Sequence, residues 1–123
     1  MNLIDLLNIS VQSQTPEQVI MTMPVTGKHL QPYGVLHGGL NGVLIETACS
    51  QGALLNLHDS AKHAVGIDLQ VNHLAPVSSG TITVIAKPNR VGRLIQVWEA
   101  TIYDEQNTIT SVGRCTLTAI TNK

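Results

Sequence analysis

Gln31-Pro32-Tyr33-Gly34-Val35-Leu36-His37-Gly38-Gly39 leads into a mostly apolar run that carries a single carboxylate, Glu46. Pro32 and Gly34 punctuate a loop that begins near Gly27. From Gly38 to Leu57 the chain then continues at helical length, without proline, until His58-Asp59-Ser60 ends it. A helix of this composition is apolar nearly all round, so most of its surface must be buried. Its first turn leaves backbone N–H groups free, and a free amide at that place can hold a developing oxyanion. An acid set in an apolar wall can attack a carbonyl or activate water. The two together are the parts that acyl transfer needs.

At about 100° per residue, Gly39, Gly42, Glu46, Ser50 and Ala53 share one narrow face, while Leu44, Ala48 and Leu55 point the other way. The strip of small residues lets another backbone come close, and the larger side chains fill the space beneath a sheet. The Glu46 face is therefore expected to meet another subunit, a ligand, or both. Gly38 and Glu46 are eight residues apart, roughly 12 Å along a helix axis. A reacting carbonyl must sit about 3 Å from both its oxyanion donor and the attacking group. One chain cannot satisfy both demands, but two antiparallel copies of the helix bring Gly38 of one beside Glu46 of the other.

The flanking sequence supplies a sheet. Glu17 to Thr26 alternates, with Val19, Met21, Met23 and Val25 on one face. Ala64 to Leu74 alternates again, with Val65, Ile67, Leu69 and Val71 on one face. Thr81 to Lys87 is a β-branched strand, Pro88 to Gly92 a loop, Arg93 to Tyr103 a long strand, and Thr108 to Thr121 a last one. A long helix followed by four strands with short turns predicts an α+β fold, an antiparallel sheet with the helix on one face. Leu3, Leu6 and Leu7 fall at helical spacing and read as a short docking helix.

Bulk composition narrows the class. The 123 residues suit one domain, 1–123, with a real core. Hydrophobic residues make up 43% against 12% charged, which excludes disorder and points to apolar surface hidden in an oligomer. Net charge is −1, and with one Trp, two Tyr and no Phe the chain lacks a platform for nucleic acid. No segment is long and apolar enough to span a bilayer, and Asp5 and Asn8 break the N-terminal run where an export signal would need continuity. Cys49 and Cys115 sit in apolar surroundings without a disulfide pattern, so a cytoplasmic location is expected.

Each candidate also has a plain structural reading. Paired glycines at a helix start are common for steric reasons alone. A lone Glu in an apolar helix can be a paired structural charge, yet no Lys or Arg occupies this helix, and an unpaired buried carboxylate is costly. Function outweighs structure for Glu46. His37 reads first as a cap or turn support, ahead of proton transfer. Gln31 alone is ambiguous. Ser50 suits either back-bonding to a carbonyl or holding a water for Glu46. His29, His58, His63 and His73 are scattered and read as structural or surface groups; with the cysteines they show no metal-ligand spacing, so no metal or other cofactor is expected. No Gly-x-Ser-x-Gly elbow is present.

The segment Gln31 to Gly39, followed by Glu46, Thr47 and Ser50, resembles the signature of hotdog-fold acyl-CoA thioesterases, and within them the PaaI-like group that includes 1,4-dihydroxy-2-naphthoyl-CoA hydrolases. Val65 to His73, Gln96-Val97-Trp98 and Leu117-Thr118-Ala119-Ile120 are similar to the same group. The resemblance implies a five-stranded antiparallel sheet wrapped around one long central helix, dimers with a continuous sheet, and homotetramers built from them. It implies an acyl-CoA substrate. Gln31 matches the residue that contacts the thioester, Gly38 the oxyanion amide, Glu46 the catalytic carboxylate and Ser50 the residue placing it or its water. His37 belongs to the same catalytic motif. Coenzyme A is implied along the dimer seam with its phosphates near Arg90-Val91-Gly92-Arg93, and Tyr33, Asn72 and His73 are further substrate-binding candidates. Where naphthoyl-CoA enzymes carry Ser after the loop glycine, this chain has Arg93.

Two rivals share the fold. A dehydratase or hydratase would use a His and a carboxylate on an acyl thioester without cleaving it, but Gln31 and Gly38-Gly39 favour hydrolysis. A non-catalytic acyl-CoA-binding protein has no need of a carboxylate on the small-residue face.

Overall fold

A computed structural model describes residues 1–123. In chain order the elements are helix α1 (Leu3–Leu6), strands β1 (Ser10–Thr15) and β2 (Gln18–Pro24), a 3-10 turn (Gly27–His29), helix α2 (Gly38–Leu55), and strands β3 (Lys62–His73), β4 (Thr81–Val91), β5 (Ile95–Tyr103) and β6 (Ile109–Thr121). The six strands form one antiparallel sheet in the order β1-β2-β4-β5-β6-β3, and α2 touches every one of them. The α+β architecture is the expected one. No helix is long and apolar enough to cross a membrane.

The strand count is six rather than five. Ser-Val-Gln-Ser-Gln-Thr in β1 is exposed along its whole length, so it has no buried face and no alternation to betray it. Its place is set chiefly by backbone pairing to β2, with the Gln12 amide donating to Thr22 Oγ1 at 3.1 Å. Strand β4 runs on to Val91 through residues read as loop. Its pairing with β2 stops at Ala86, so Pro88 lies where one edge of β4 has no strand to donate to, beside a bulge between Pro88 and Arg90. Strand β5 correspondingly begins at Ile95 rather than Arg93. Helix α1 docks through Leu7, which is buried, while Leu3 and Leu6 remain 51% and 52% exposed.

The core forms between α2 and the inner face of the sheet. Val19, Met21, Met23 and Val25 all point inward, as their alternation requires, and meet Leu44, Ile45 and Ala48 of α2 within one buried cluster. Trp98 lies fully buried in β5. Its indole N–H donates to Gln96 Oε1 at 2.9 Å, and the Gln96 amide donates to the Ala53 carbonyl at 3.0 Å, so the polar edge of a large ring is satisfied without water. The ring occupies the space that any side chain at Gly52 would need.

Strand β3 departs from simple alternation. A bulge between Gly66 and Asp68 leaves Ile67 unpaired with β6, which switches the parity of the strand. Gly66 faces α2 before the bulge; Leu69, Val71 and His73 face it afterwards, where Leu69 and Val71 flank Gly42 and His73 flanks Gly38. Val65, Ile67, Leu69 and Val71 therefore do not share one face, and Ile67 is 58% exposed. The small-residue face of α2 divides in the same way. Gly42 and Ala53 are buried within the protomer, while Gly39 is exposed and Glu46 and Ser50 are half-buried along an open border.

Replacing Gly52 by Val should drive a branched side chain into Trp98 and lower stability by about 1–3 kcal/mol. Urea unfolding followed by emission of Trp98, the sole tryptophan, measures it; an unchanged midpoint would contradict this packing.

Candidate functional site

The loop before α2 is built on a buried imidazole. His29 Nδ1 accepts from the Thr26 N–H at 3.0 Å, so the proton sits on Nε2, which is 2.9 Å from the Leu7 carbonyl and donates to it. The His29 carbonyl then accepts from the His37 N–H at 2.9 Å. One residue thus ties the N-terminal segment to the start of the long helix. Between them the chain turns tightly: Gln31 N–H donates to Val35 O at 2.8 Å and Gly34 N–H to Gln31 O at 3.0 Å, with Gly34 at φ +85°. The Gln31 side-chain oxygen accepts from the Tyr33 N–H, which holds this amide at the loop while the Tyr33 ring stands 91% exposed.

His37 is the N-cap of α2. Its Nδ1 accepts from the Gly39 N–H at 2.9 Å, and its carbonyl accepts from the Leu40 N–H at 3.0 Å. The Gly38 N–H takes part in no such bond and stays free at the positive end of the helix. The His73 ring lies directly against Gly38: a Cβ there would come within 2.9 Å of His73 Cε1. Gly38, Asn41 and His73 line an open groove of about 340 Å³ with Leu36, Pro76 and Val77.

Glu46 opens onto a different groove of about 340 Å³, shared with Ile4, Ser50, Gln51, Leu54 and His63. Its carboxylate lies over the backbone of Gly66, so close that a methyl on that glycine would collide with Oε2. Gly66 is a site residue that pattern reading passed over, although an isolated glycine in a strand signals a bulge or a close approach, and both occur here. The Cys115 thiol also faces Gly66, and burial, then the Glu46 and Asp68 carboxylates, push it up to about 11. Burial pushes Cys49 up further, with Cys115 and Glu46 adding to it.

Within one chain, then, Gly38 lines one groove with Asn41 and His73, and Glu46 gathers with Ser50 at another. His37 caps the helix start beside Gly38, and Gln31 stays in the preceding turn, lining neither groove. Val91, Gly92 and Arg93 line a third, of about 520 Å³, together with His58, Asp59 and Lys62. The Gly92 N–H donates to the Ile95 carbonyl at 2.9 Å and closes the β4–β5 hairpin. Arg90 is exposed and outside that lining. Asn72 and Tyr33 line none of these three grooves, because Asn72 points to the face of β3 opposite His73 and Tyr33 projects from its loop.

Raised thiols stabilise the fold in their neutral form. That contribution is complete below pH 9 and is lost as pH climbs from the ordinary thiol value of 9.0 through about 11. Denaturation midpoints should therefore fall between pH 9 and 11, and a Cys49→Ala/Cys115→Ala double variant should flatten the fall; an equally steep fall without thiols would refute the assignment.

The profile of the Thioesterase superfamily matches residues 33–111. The chain is similar to ComA2 of Bacillus subtilis, with 39% identity covering 96% of this chain and 94% of that protein. It is 34% identical to a 1,4-dihydroxy-2-naphthoyl-CoA hydrolase of Listeria monocytogenes, over 95% of this chain and 94% of that one. The crystal structure of a thioesterase from Haemophilus influenzae superposes with a TM-score of 0.90 at 41% identity, covering 96% of this chain and 82% of that chain.

Proposed function

This chain belongs to the thioesterase superfamily, with the hotdog fold and thioester-hydrolysing activity of that family, and on that premise we propose that two copies build each active site between them. The chain cleaves an acyl-CoA into a free acid and coenzyme A. The observation that carries the reading is Glu46, set over Gly66 on a helix without a cation and opening on a groove that the free Gly38 amide does not reach. An antiparallel second copy supplies the missing half. Strand β3 offers the means, since it pairs with β6 on one side only and leaves its other edge open.

In this site the thioester oxygen accepts from the Gly38 N–H of one subunit, where the helix dipole favours developing negative charge. Gln31 orients the group, and His37 holds the turn by capping Gly39. Glu46 of the other subunit, ionised, either attacks the carbonyl carbon to give a mixed anhydride or takes a proton from water, which Ser50 positions. On either route a C–O bond forms, the C–S bond breaks and the sulfur leaves as thiolate. On the first route a water then cleaves the anhydride C–O bond, giving the free acid, restoring the Glu46 carboxylate and supplying the proton for the thiolate; on the second, the proton that Glu46 took from water passes to the thiolate. Gly92 and Arg93, with Lys62 beside them, receive the coenzyme phosphates. The acyl group is aromatic or of medium size, and 1,4-dihydroxy-2-naphthoyl suits the likeness to the Listeria enzyme. One domain over 1–123, assembled as a homotetramer in the cytoplasm, completes the proposal; two buried, unpaired thiols support a reducing compartment.

Free-thiol release from a panel of acyl-CoAs tests the chemistry. Wild type should release thiol and Glu46→Ala should lose about 100-fold or more; equal rates would sink the assignment. Mixing Glu46→Ala with Gln31→Ala subunits should restore roughly a quarter of full activity, because half the dimers are mixed and each holds one intact site. No restoration would place the site within one chain. Gly66→Ala should cut thiol release about 10-fold or more while leaving the sheet folded, by displacing the carboxylate. Circular dichroism checks the fold, and unchanged turnover would show that Glu46 does not depend on this contact.

A further inference from the structure

Three residues into α2, Asn41 is 6% exposed, and its side-chain oxygen is buried without any hydrogen-bond partner. An orphaned amide oxygen is a steady cost to the fold, and a leucine of the same shape would remove it. The other end of the amide is engaged: Asn41 Nδ2 lies 3.1 Å from His73 Nδ1. His73 is the last residue of β3, and its ring is pressed on Gly38, with Nε2 3.0 Å from where a Cβ would stand. The polar pair therefore sits beside the free Gly38 amide, on the wall of the same groove.

We propose that Asn41 is a positioning residue that fixes the ring and tautomer of His73, so that His73 Nε2–H stands beside the Gly38 amide as a second hydrogen-bond donor to the bound thioester. This rests on the reading of Gly38 as the oxyanion donor. An Nδ2–H group can only donate, so His73 Nδ1 must accept, and the ring proton is left on Nε2. A neutral donor held by a buried amide needs no reorganisation when charge develops on the substrate oxygen. The fold tolerates the unpaired Asn41 oxygen because the same side chain sets that donor. Asn41 acts through His73 and makes no substrate contact of its own.

The test compares Asn41→Leu and His73→Gln with wild type. Nitrogen-15 NMR of the labelled protein should show His73 protonated on Nε2, its signals identified by their absence in His73→Gln. In Asn41→Leu the same ring should become a mixture of tautomers. Thiol release, measured as kcat/KM, should fall about 10- to 100-fold in Asn41→Leu, carried by kcat, while its thermal midpoint holds or rises. A native ring protonated on Nδ1 would overturn the proposal. So would wild-type turnover in Asn41→Leu, or a loss of activity explained by a lowered midpoint. If Asn41→Leu is fully active while Glu46→Ala is dead, the hydrolase reading stands and this inference alone fails. If wild type releases no thiol from any acyl-CoA, both fail.

Discussion

The close approach of α2 to β3 is the constraint from which the rest of the structure follows. Three places along the helix meet four inward positions of the strand: Gly38 under His73, Gly42 under Leu69 and Val71, and the Glu46 carboxylate over Gly66. At each of them one partner is a glycine, because a methyl at Gly38 or Gly66 would enter occupied space. The bulge at Ile67 makes the match possible. Without it, Gly66 and His73 would face opposite sides of the sheet, and either the carboxylate or the imidazole would lose its seat.

On the opposite side of the helix the constraint is ordinary packing. Leu44, Ile45 and Ala48 share one buried cluster with the inward residues of β2, Ile45 lies against Gly113 of β6, and Trp98 slots under Gly52 with its N–H satisfied through Gln96. One side supplies most of the apolar burial that stabilises the fold, with Gln96 as its buried polar group, and the side along β3 carries Glu46, Asn41 and His73. Glu46 and Asn41 both lie on that border, and both are groups that an unconstrained core would replace with something greasy.

Much of this was legible in the sequence, for identifiable reasons. The length of α2, the inward face of β2 and the isolation of Glu46 all follow from period and composition, which report burial directly. Strand β1 escaped because a strand exposed on both faces has no hydrophobic period. The bulge escaped because Val65, Ile67, Leu69 and Val71 keep an unbroken alternation through it, and only the glycine at 66 hints at the break. Asn41 was invisible: its meaning depends on His73, thirty-two residues away, and on which atom of an amide finds a partner. The separation of Gly38 from Glu46 was readable from helix rise alone, and the two grooves of the protomer keep it.

The two margins of the sheet differ in character. At one end β1 presents Ser10, Gln12, Ser13, Gln14 and Thr15 around a single exposed apolar residue, Val11; at the other, β3 carries Val65 and Ile67 beside the exposed Asp68 and Gln70. Adhesion at both ends would let copies add indefinitely, as fibrils do. With a single adhesive end, a sheet can join one twin about a two-fold axis and then has left only a short edge of serine, glutamine and threonine around Val11. Under the proposed pairing through β3, growth by edge addition would stop after one step, which would protect a thinly charged, greasy chain from its own backbone.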